Sequence, residues 1–292
     1  MTPSRLQIDL ARRIVMHLRD EKAAPGRPLI ELDLCAAFHV SRTPVRGALK
    51  LLERKGVVKA RQGRGYVLAK LPPEEGALET SEENAQNRLF QQLAEARGKD
   101  ALPDHFTQQQ LTRRFDARLS TVLSVLRDLA ELGLIERRPG NGWAFTADPA
   151  RALSESYAFR RALEPQMLLQ PGFLLDRAWA EKTRAEYRLL RGRPWRAGDG
   201  ARFHAINADF HQQLARACGN RIMLKAVERQ NQLRDFLIGQ WEYPRDQVYA
   251  AIEDHLEILA ALEAGYADKA AALMLHHLTQ SASQPHEAGN PA

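Results

Sequence analysis

Five positions in the last third of this 292-residue chain carry side chains suited to holding a metal or moving a proton. His204, Asn207 and His211 are spaced so that, on a helix, they share one face over two turns. His255 and His277 fall in two later stretches with helical apolar spacing. A neutral imidazole is the commonest metal ligand and titrates close to neutral pH. Three helices bringing such rings together can build a face of nitrogen donors with positions open to water or a ligand. Taken singly, a helical histidine is more often a polar core or surface residue, and spacing alone does not make these rings converge.

The other chemistry-bearing stretch is SRTPVRGALKLLERKG, Ser41 to Gly56. Its exposed positions are basic and hydroxylic: Ser41, Arg42, Thr43 and Arg46. Arg61, Arg64 and Gly65 follow in a glycine-rich turn. Such side chains reach phosphates and base edges, and glycines let a backbone approach a groove closely. Net charge agrees. Residues 1–70 hold 15 Lys/Arg against 6 Asp/Glu, whereas residues 71–149 hold 9 against 13 and residues 150–292 hold 18 against 17. A basic run is often only a solvated face. A domain of +9 beside near-neutral neighbours points instead to a polyanion.

The elements that must position these groups can be read from periodicity. LQIDLARRIVMHLRD is an amphipathic helix with Leu6, Leu10, Ile14 and Leu18 on one side. LIELDLCAAFHV predicts a shorter helix offering Leu32, Leu34 and Phe38 for packing. Thr43 is expected to cap the third helix, with Pro44 at its first position, where the missing N–H costs nothing. Val45, Ala48, Leu49 and Leu52 form its buried face, and Gly56 ends it. VVKARQGRGYVLA predicts two short strands about a turn. Helix, helix, turn, helix and hairpin make a winged helix–turn–helix, whose third helix enters the DNA major groove.

The apolar pattern returns 77 residues later without a gap. Leu34, Phe38, Val45, Leu49 and Leu52 correspond to Leu111, Phe115, Val122, Leu126 and Leu129. Gly56, Gly63 and Gly65 correspond to Gly133, Gly140 and Gly142. A second winged helix is therefore expected, led by the helix ENAQNRLFQQLAEAR. Its exposed residues differ, because Arg42, Pro44 and Arg46 become Leu119, Thr121 and Leu123. A leucine pair on that face favours a protein surface, so it is expected against the helical bundle or a second subunit. Arg113, Arg114, Arg118, Arg137 and Arg138 keep phosphate contact open to this module.

The expected fold class is mainly α: two winged helix–turn–helix domains with small hairpin wings, then an all-helical bundle. The expected boundaries are 1–70, an acidic linker at 71–83, 84–149, 150–282 and a disordered tail at 283–292. Cys35 and Cys218 lie far apart without CxxC spacing and read as reduced thiols. No run approaches the ~20 apolar residues that span a bilayer, and the first residues lack a secretory apolar stretch. The expected location is the cytoplasm.

Two family resemblances sharpen this reading. SRTPVRGALKLLERKGVVKARQGRGYVL resembles the DNA-binding domain of GntR-type bacterial transcription regulators, departing at Gly47, where an acidic residue is common. NADFHQQLARACGN and IEDHLEILAALEAGYADKAAALMLHHL are similar to the FCD effector domain. That resemblance implies a helical sensor of small organic acids, often using a divalent ion such as zinc, nickel or manganese. Asn207, His211, His255 and His277 stand at its metal-ligand positions. Arg160, in an R-x-x-x-E pattern with Glu164, stands where an arginine faces the effector carboxylate. Asn207 departs from the pattern, since a neutral amide binds metal more weakly than a carboxylate. The resemblance implies a homodimeric regulator of a double-stranded DNA operator, released or recruited by a small carboxylate. A metal-dependent helical enzyme using the same histidines is the alternative, but no HExxH pair and no nucleophile with an evident base appear. A scaffold recruiting a partner through the second winged helix is a third reading.

Overall fold

The computed structural model describes residues 5–283 except 22, 39, 62–64, 72–80, 140, 141, 147 and 239–242. Arg64 and the glycines at 63 and 140 therefore lie outside the described residues, as do the expected linker over 72–80 and the tail over 284–292. Residues 1–84 and 85–292 form two compact units.

The first unit holds α1 (Arg5–Asp20), β1 (Pro28–Leu29), α2 (Glu31–Phe38), α3 (Arg42–Arg54), β2 (Val58–Ala60) and β3 (Tyr66–Leu68). Leu10, Ile14 and Leu18 of α1 are buried against Val45, Ala48, Leu49 and Leu52 of α3 and against Leu68. The i, i+3, i+4, i+7 spacing thus becomes one continuous apolar seam. Two details depart from the sequence reading. Ser41, not Thr43, is the N-cap, so Pro44 is the third residue of α3. Its missing N–H still falls among the first-turn donors that have no helical acceptor. Leu32 is 57 % exposed, leaving Leu34 and the half-buried Phe38 as the packing residues of α2. At the far end of α3 the chain turns on Gly56, at φ +71°. Gly56 N bonds Glu53 O, and Val57 N bonds Leu52 O. This crossed pair satisfies the last helical carbonyls and requires a left-handed residue.

The second unit begins with the same architecture. The chain runs through α4 (Ser81–Gly98), β4 (His105–Thr107), α5 (Gln108–Arg114), α6 (Leu119–Glu131), β5 (Ile135–Arg138) and β6 (Gly142–Phe145). α4 starts three residues ahead of the expected boundary at 84. The sheet order β4-β6-β5 repeats β1-β3-β2, and α6 lies 77 residues beyond α3 at both ends. Gly133, at φ +78°, repeats the helix stop, with Gly133 N on Ala130 O and Leu134 N on Leu129 O. In each sheet a third strand, β1 or β4, pairs with the far strand of the hairpin. Strands of two or three residues are too short to show alternation, which is why the sequence reading contains only the hairpin.

Six helices complete the unit: α7 (Pro149–Leu168), α8 (Arg177–Arg191), α9 (Asp199–Ala217), α10 (Arg221–Ile238), α11 (Arg245–Glu263) and α12 (Ala267–Ser283). Ser283, expected in the tail, closes α12 with its hydroxyl on the carbonyls of Thr279 and Gln280. Gly219, at φ +72°, ends α9. Asn220 then caps α10 by accepting from the amides of Ile222 and Met223. The second winged helix meets the bundle through aromatic residues. Phe90 of α4 and Phe145 of β6 pack on Phe236 of α10, with ring centroids 5.4 and 6.3 Å apart. The Leu119/Leu123 pair is not part of that seam. Leu119 is 47 % exposed and Leu123 is half-buried beside Arg137 and Trp143 of its own module. The expectation that this pair packs on the bundle is thus corrected, because the aromatic face supplies the larger apolar surface.

Candidate functional site

The residues that the sequence reading expects to face DNA lie at the start of α3 and on the wing. Ser41, Arg42, Thr43 and Arg46 are all exposed along the first turn and a half. Arg46 Nε donates to Glu31 Oε2 at 2.8 Å, joining α3 to the start of α2. The pair is largely exposed, so it holds Arg46 by no more than about 1 kcal/mol and does not prevent the side chain from reaching outward. Arg61 stands exposed at the base of the wing, where its amide bonds Gly65 O at 2.8 Å. Gly65 has φ +82°, and a Cβ there would lie 3.2 Å from Leu29 O. Gly47 sits against α1: a Cβ would meet the Gln7 side chain at 2.2 Å. Those atoms belong to a flexible side chain, so a larger residue at position 47 would require Gln7 to swing aside.

The histidines do converge. α9 carries His211, α11 His255 and α12 His277, and their ligand atoms all lie within 4.8 Å of one another. All three rings are closed to solvent. Each is held from behind. His211 Nδ1 donates to Glu164 Oε2 at 2.6 Å and His277 Nδ1 to Asp254 Oδ2 at 3.1 Å. His255 Nδ1 meets the Tyr187 hydroxyl at 2.5 Å, and Phe210 stacks on its ring at 3.8 Å. The carboxylate partners leave the Nε2 atoms of His211 and His277 as lone pairs. His255 Nε2 and His277 Nε2 are 3.2 Å apart, whereas His211 Nε2 is buried with no hydrogen-bond partner among the described residues.

Arg160 of α7 lies behind this face. Its Nε donates to Glu164 Oε1 at 2.6 Å, so one carboxylate bridges guanidinium and imidazole. Burial drives the Glu164 pKa up, but Arg160 and His211 outweigh it and hold the carboxyl far below its ordinary range. Burial pushes His211 down to about 3 against the opposing pull of Glu164. It also lowers His255 and His277, the latter despite its bond to Asp254. All three rings are therefore neutral at physiological pH, the state in which imidazole donates a lone pair.

Asn207 is buried one turn before His211 on α9. His204 has other partners, Asp235 Oδ1 at 2.7 Å and the Tyr243 hydroxyl at 3.2 Å. Glu164 was legible as part of the arginine pattern but not as the partner of His211. Asp254, Tyr187 and Arg234 were not legible, since each reaches the cluster from a different helix and no local spacing records that.

These observations agree with what the chain resembles. Residues 6–68 match the model of the bacterial regulatory proteins of the gntR family, and residues 155–280 match the FCD domain. The two spans together take in well over half of the chain. No curated protein matches. Among solved structures the chain is similar to Streptococcus agalactiae GntR, at 17 % identity over 95 % of this chain and 100 % of that one, with a TM-score of 0.40. It is similar to E. coli McbR/YncC at 17 % identity over 70 % and 95 %, with a TM-score of 0.49. A third likeness is to a GntR family member from Pseudomonas syringae pv. tomato, at 18 % over 94 % and 84 %, with a TM-score of 0.34. The assignment rests on the two family matches. The family is one of transcription regulators, not enzymes. Among the described residues no helix is long and apolar enough to cross a membrane. The chain belongs to the GntR family of bacterial regulatory proteins, a DNA-binding transcriptional regulator with an FCD domain behind its N-terminal winged helix.

Proposed function

We propose that operator binding by this regulator is controlled by a small carboxylate held in the polar core of the FCD domain, beside a divalent ion. The observation that carries this reading is the buried Nε2 of His211, without a hydrogen-bond partner among the described residues and within 4.8 Å of two further imidazole nitrogens. Three neutral imidazoles with Nδ1 occupied from behind fit a divalent transition ion, for which zinc, nickel and manganese are the candidates. His211, His255 and His277 hold it, and Asn207 is the weaker fourth donor. When bound, the ion supplies a Lewis-acidic point with positions open to a carboxylate oxygen. Arg160 presents to the effector's carboxylate an Nη2 with no hydrogen-bond partner among the described residues, while its Nε keeps Glu164 ionised.

On the DNA side, Arg42 and Arg46 read base edges, while Ser41, Thr43, Arg61, Arg64 and the Gly65 backbone position the phosphates. The protein acts in the cytoplasm as a homodimer on a palindromic operator, half-site spacing following its two-fold symmetry.

The test is metal analysis of untagged protein purified without chelator, with thermal melting as each ion is added. Bound ion, or a rise in melting temperature with one of the three, supports the reading. Neither result leaves a metal-free pocket in which the 3.2 Å contact between His255 and His277 is a plain hydrogen bond. His255→Ala should abolish the response of operator affinity to effector in either case, and a full response in that variant places the ligand elsewhere. Acid sharpens the same test. Folding keeps His211 neutral, with its pKa down to about 3, whereas the unfolded chain takes up that proton near pH 6.5. The unfolded state therefore binds more protons in between. The stability contributed by the neutral ring is full above about pH 6.5 and is lost as pH falls toward 3, and bound metal is released over the same descent.

A further inference from the structure

The outer face of α6 carries apolar groups and charges of both signs. Leu119, Leu123, Arg127, Ala130 and Glu131 fall within about a third of the helix circumference. Across from them stands the wing, where the Arg137 guanidinium lies 5.3 Å from the centre of the Trp143 ring. Leu123, Arg127, Ala130, Glu131, Arg137 and Trp143 line one groove of about 530 Å³. Arg127 and Glu131 are exposed one turn apart, and neither forms an ion pair among the described residues. The first module differs at the matching positions, 77 residues earlier. Lys50 and Arg54 stand there, two like charges, beside Arg42 and Arg46 in place of the leucines. Leu174 and Ile222 are more exposed than Leu119, at 80 % and 76 %. The charged groups lining the groove at Ile222 are Arg221 and Lys225, with no carboxylate among the described residues. A face of one sign repels its own copy, whereas a face with both signs can match itself.

We propose that a second copy of this chain covers the outer face of α6, so that the second winged helix is a dimerisation module. This rests on the homodimer reading above and adds to it the surface and the pairing. A twofold contact joins one patch to its own copy, so residue i meets j and j meets i. With two copies of α6 antiparallel and crossing near Ala130, Arg127 of each faces Glu131 of the other. The small side chain at position 130 lets the helix axes come close. Leu119 and Leu123 of each copy then run onto the other's wing, where Trp143 and the stem of Arg137 offer apolar surface. The same pairing is closed to the first module, because Lys50 would meet Arg54. One architecture thus presents a polyanion-binding face in the first module and a self-binding face in the second.

The experiment is sedimentation equilibrium of the full-length protein at fixed salt. Arg127→Glu and Glu131→Arg each set like charges against one another on both sides of the axis, and each should raise the dimer dissociation constant about tenfold or more. An equimolar mixture of the two variants restores both opposite pairs, and its apparent constant should return to within about threefold of wild type. Recovery on mixing guards against a folding defect, since a misfolded chain does not regain its partner. Leu119→Ser with Leu123→Ser should weaken the dimer as well. A dimer that none of these variants weakens overturns the proposal and leaves the homodimer reading intact. Weakening by the leucine variant alone, or by the charge variants without recovery on mixing, overturns the pairing of Arg127 with Glu131. A wild-type protein that stays monomeric at every concentration removes the homodimer reading and this proposal together.

Discussion

The two winged helices of this chain share an interior and differ on the surface. Val45, Leu49 and Leu52 are fully buried, and so are Val122, Leu126 and Leu129, 77 residues later. Both third helices stop on a left-handed glycine with the same crossed pair of backbone hydrogen bonds, at Gly56 and at Gly133. The exposed start of that helix shows no such likeness: Arg42 and Arg46 face solvent in the first module, and Leu119 and Leu123 take their places in the second. A one-methyl change inside a close-packed core is felt by every neighbour, whereas an exposed side chain answers only to its partner. The fold thus constrains one set of positions, and the function the other.

The largest effect that tests this equivalence is in the core. Leu52→Ala and Leu129→Ala should each lower stability by about 2–5 kcal/mol in chemical denaturation. A loss well under 1 kcal/mol for one of them would mean that the two interiors are not equivalent. Next come the surfaces. Arg42→Ala or Arg46→Ala should weaken operator binding by about 1–3 kcal/mol at fixed salt and relax base preference. Leu119→Arg with Leu123→Arg should leave base preference as it is. Retained operator affinity without both arginines, or a changed preference in the leucine variant, would reverse the assignment of the two modules. The shared helix stop predicts a smaller loss. Gly56→Ala and Gly133→Ala each force a Cβ into the left-handed region and should cost about 1–2 kcal/mol in denaturation midpoints. Open space surrounds both glycines, so backbone strain alone is measured. The smallest effect concerns Leu119→Ser with Leu123→Ser, which should change protomer stability by less than about 0.5 kcal/mol. A fall in dimer affinity measured by sedimentation would identify the leucine pair as a subunit contact.

Most of the fold was legible because its signals are local. Helical spacing of leucines, a glycine after each third helix and an offset of 77 between matching residues all lie within short windows. Capping was less legible: the helix starting at Arg42 takes Ser41 as its N-cap, and neighbouring hydroxyl residues offer no local reason to choose. Leu32 also looked like a core residue, yet its position on α2 faces solvent. Helix faces are assigned by what packs on them, and the partner of α2 is α3.

The sequence by itself determined which segments are helical, that a winged helix occurs twice, where the positive charge lies and which histidines stand at ligand spacing. Only the tertiary structure decided that His211, His255 and His277 meet, that Glu164, Tyr187 and Asp254 hold them from behind, and that Arg234 is buried beside Tyr157 with a donor to spare. It also decided that Phe90 and Phe145, rather than Leu119 and Leu123, seat the second winged helix on the bundle. The physical reason is the same for each. Periodicity along the chain reports which face of an element is apolar, while a site made from six helices depends on how those faces are rotated against one another, and that is set by packing between residues far apart in sequence.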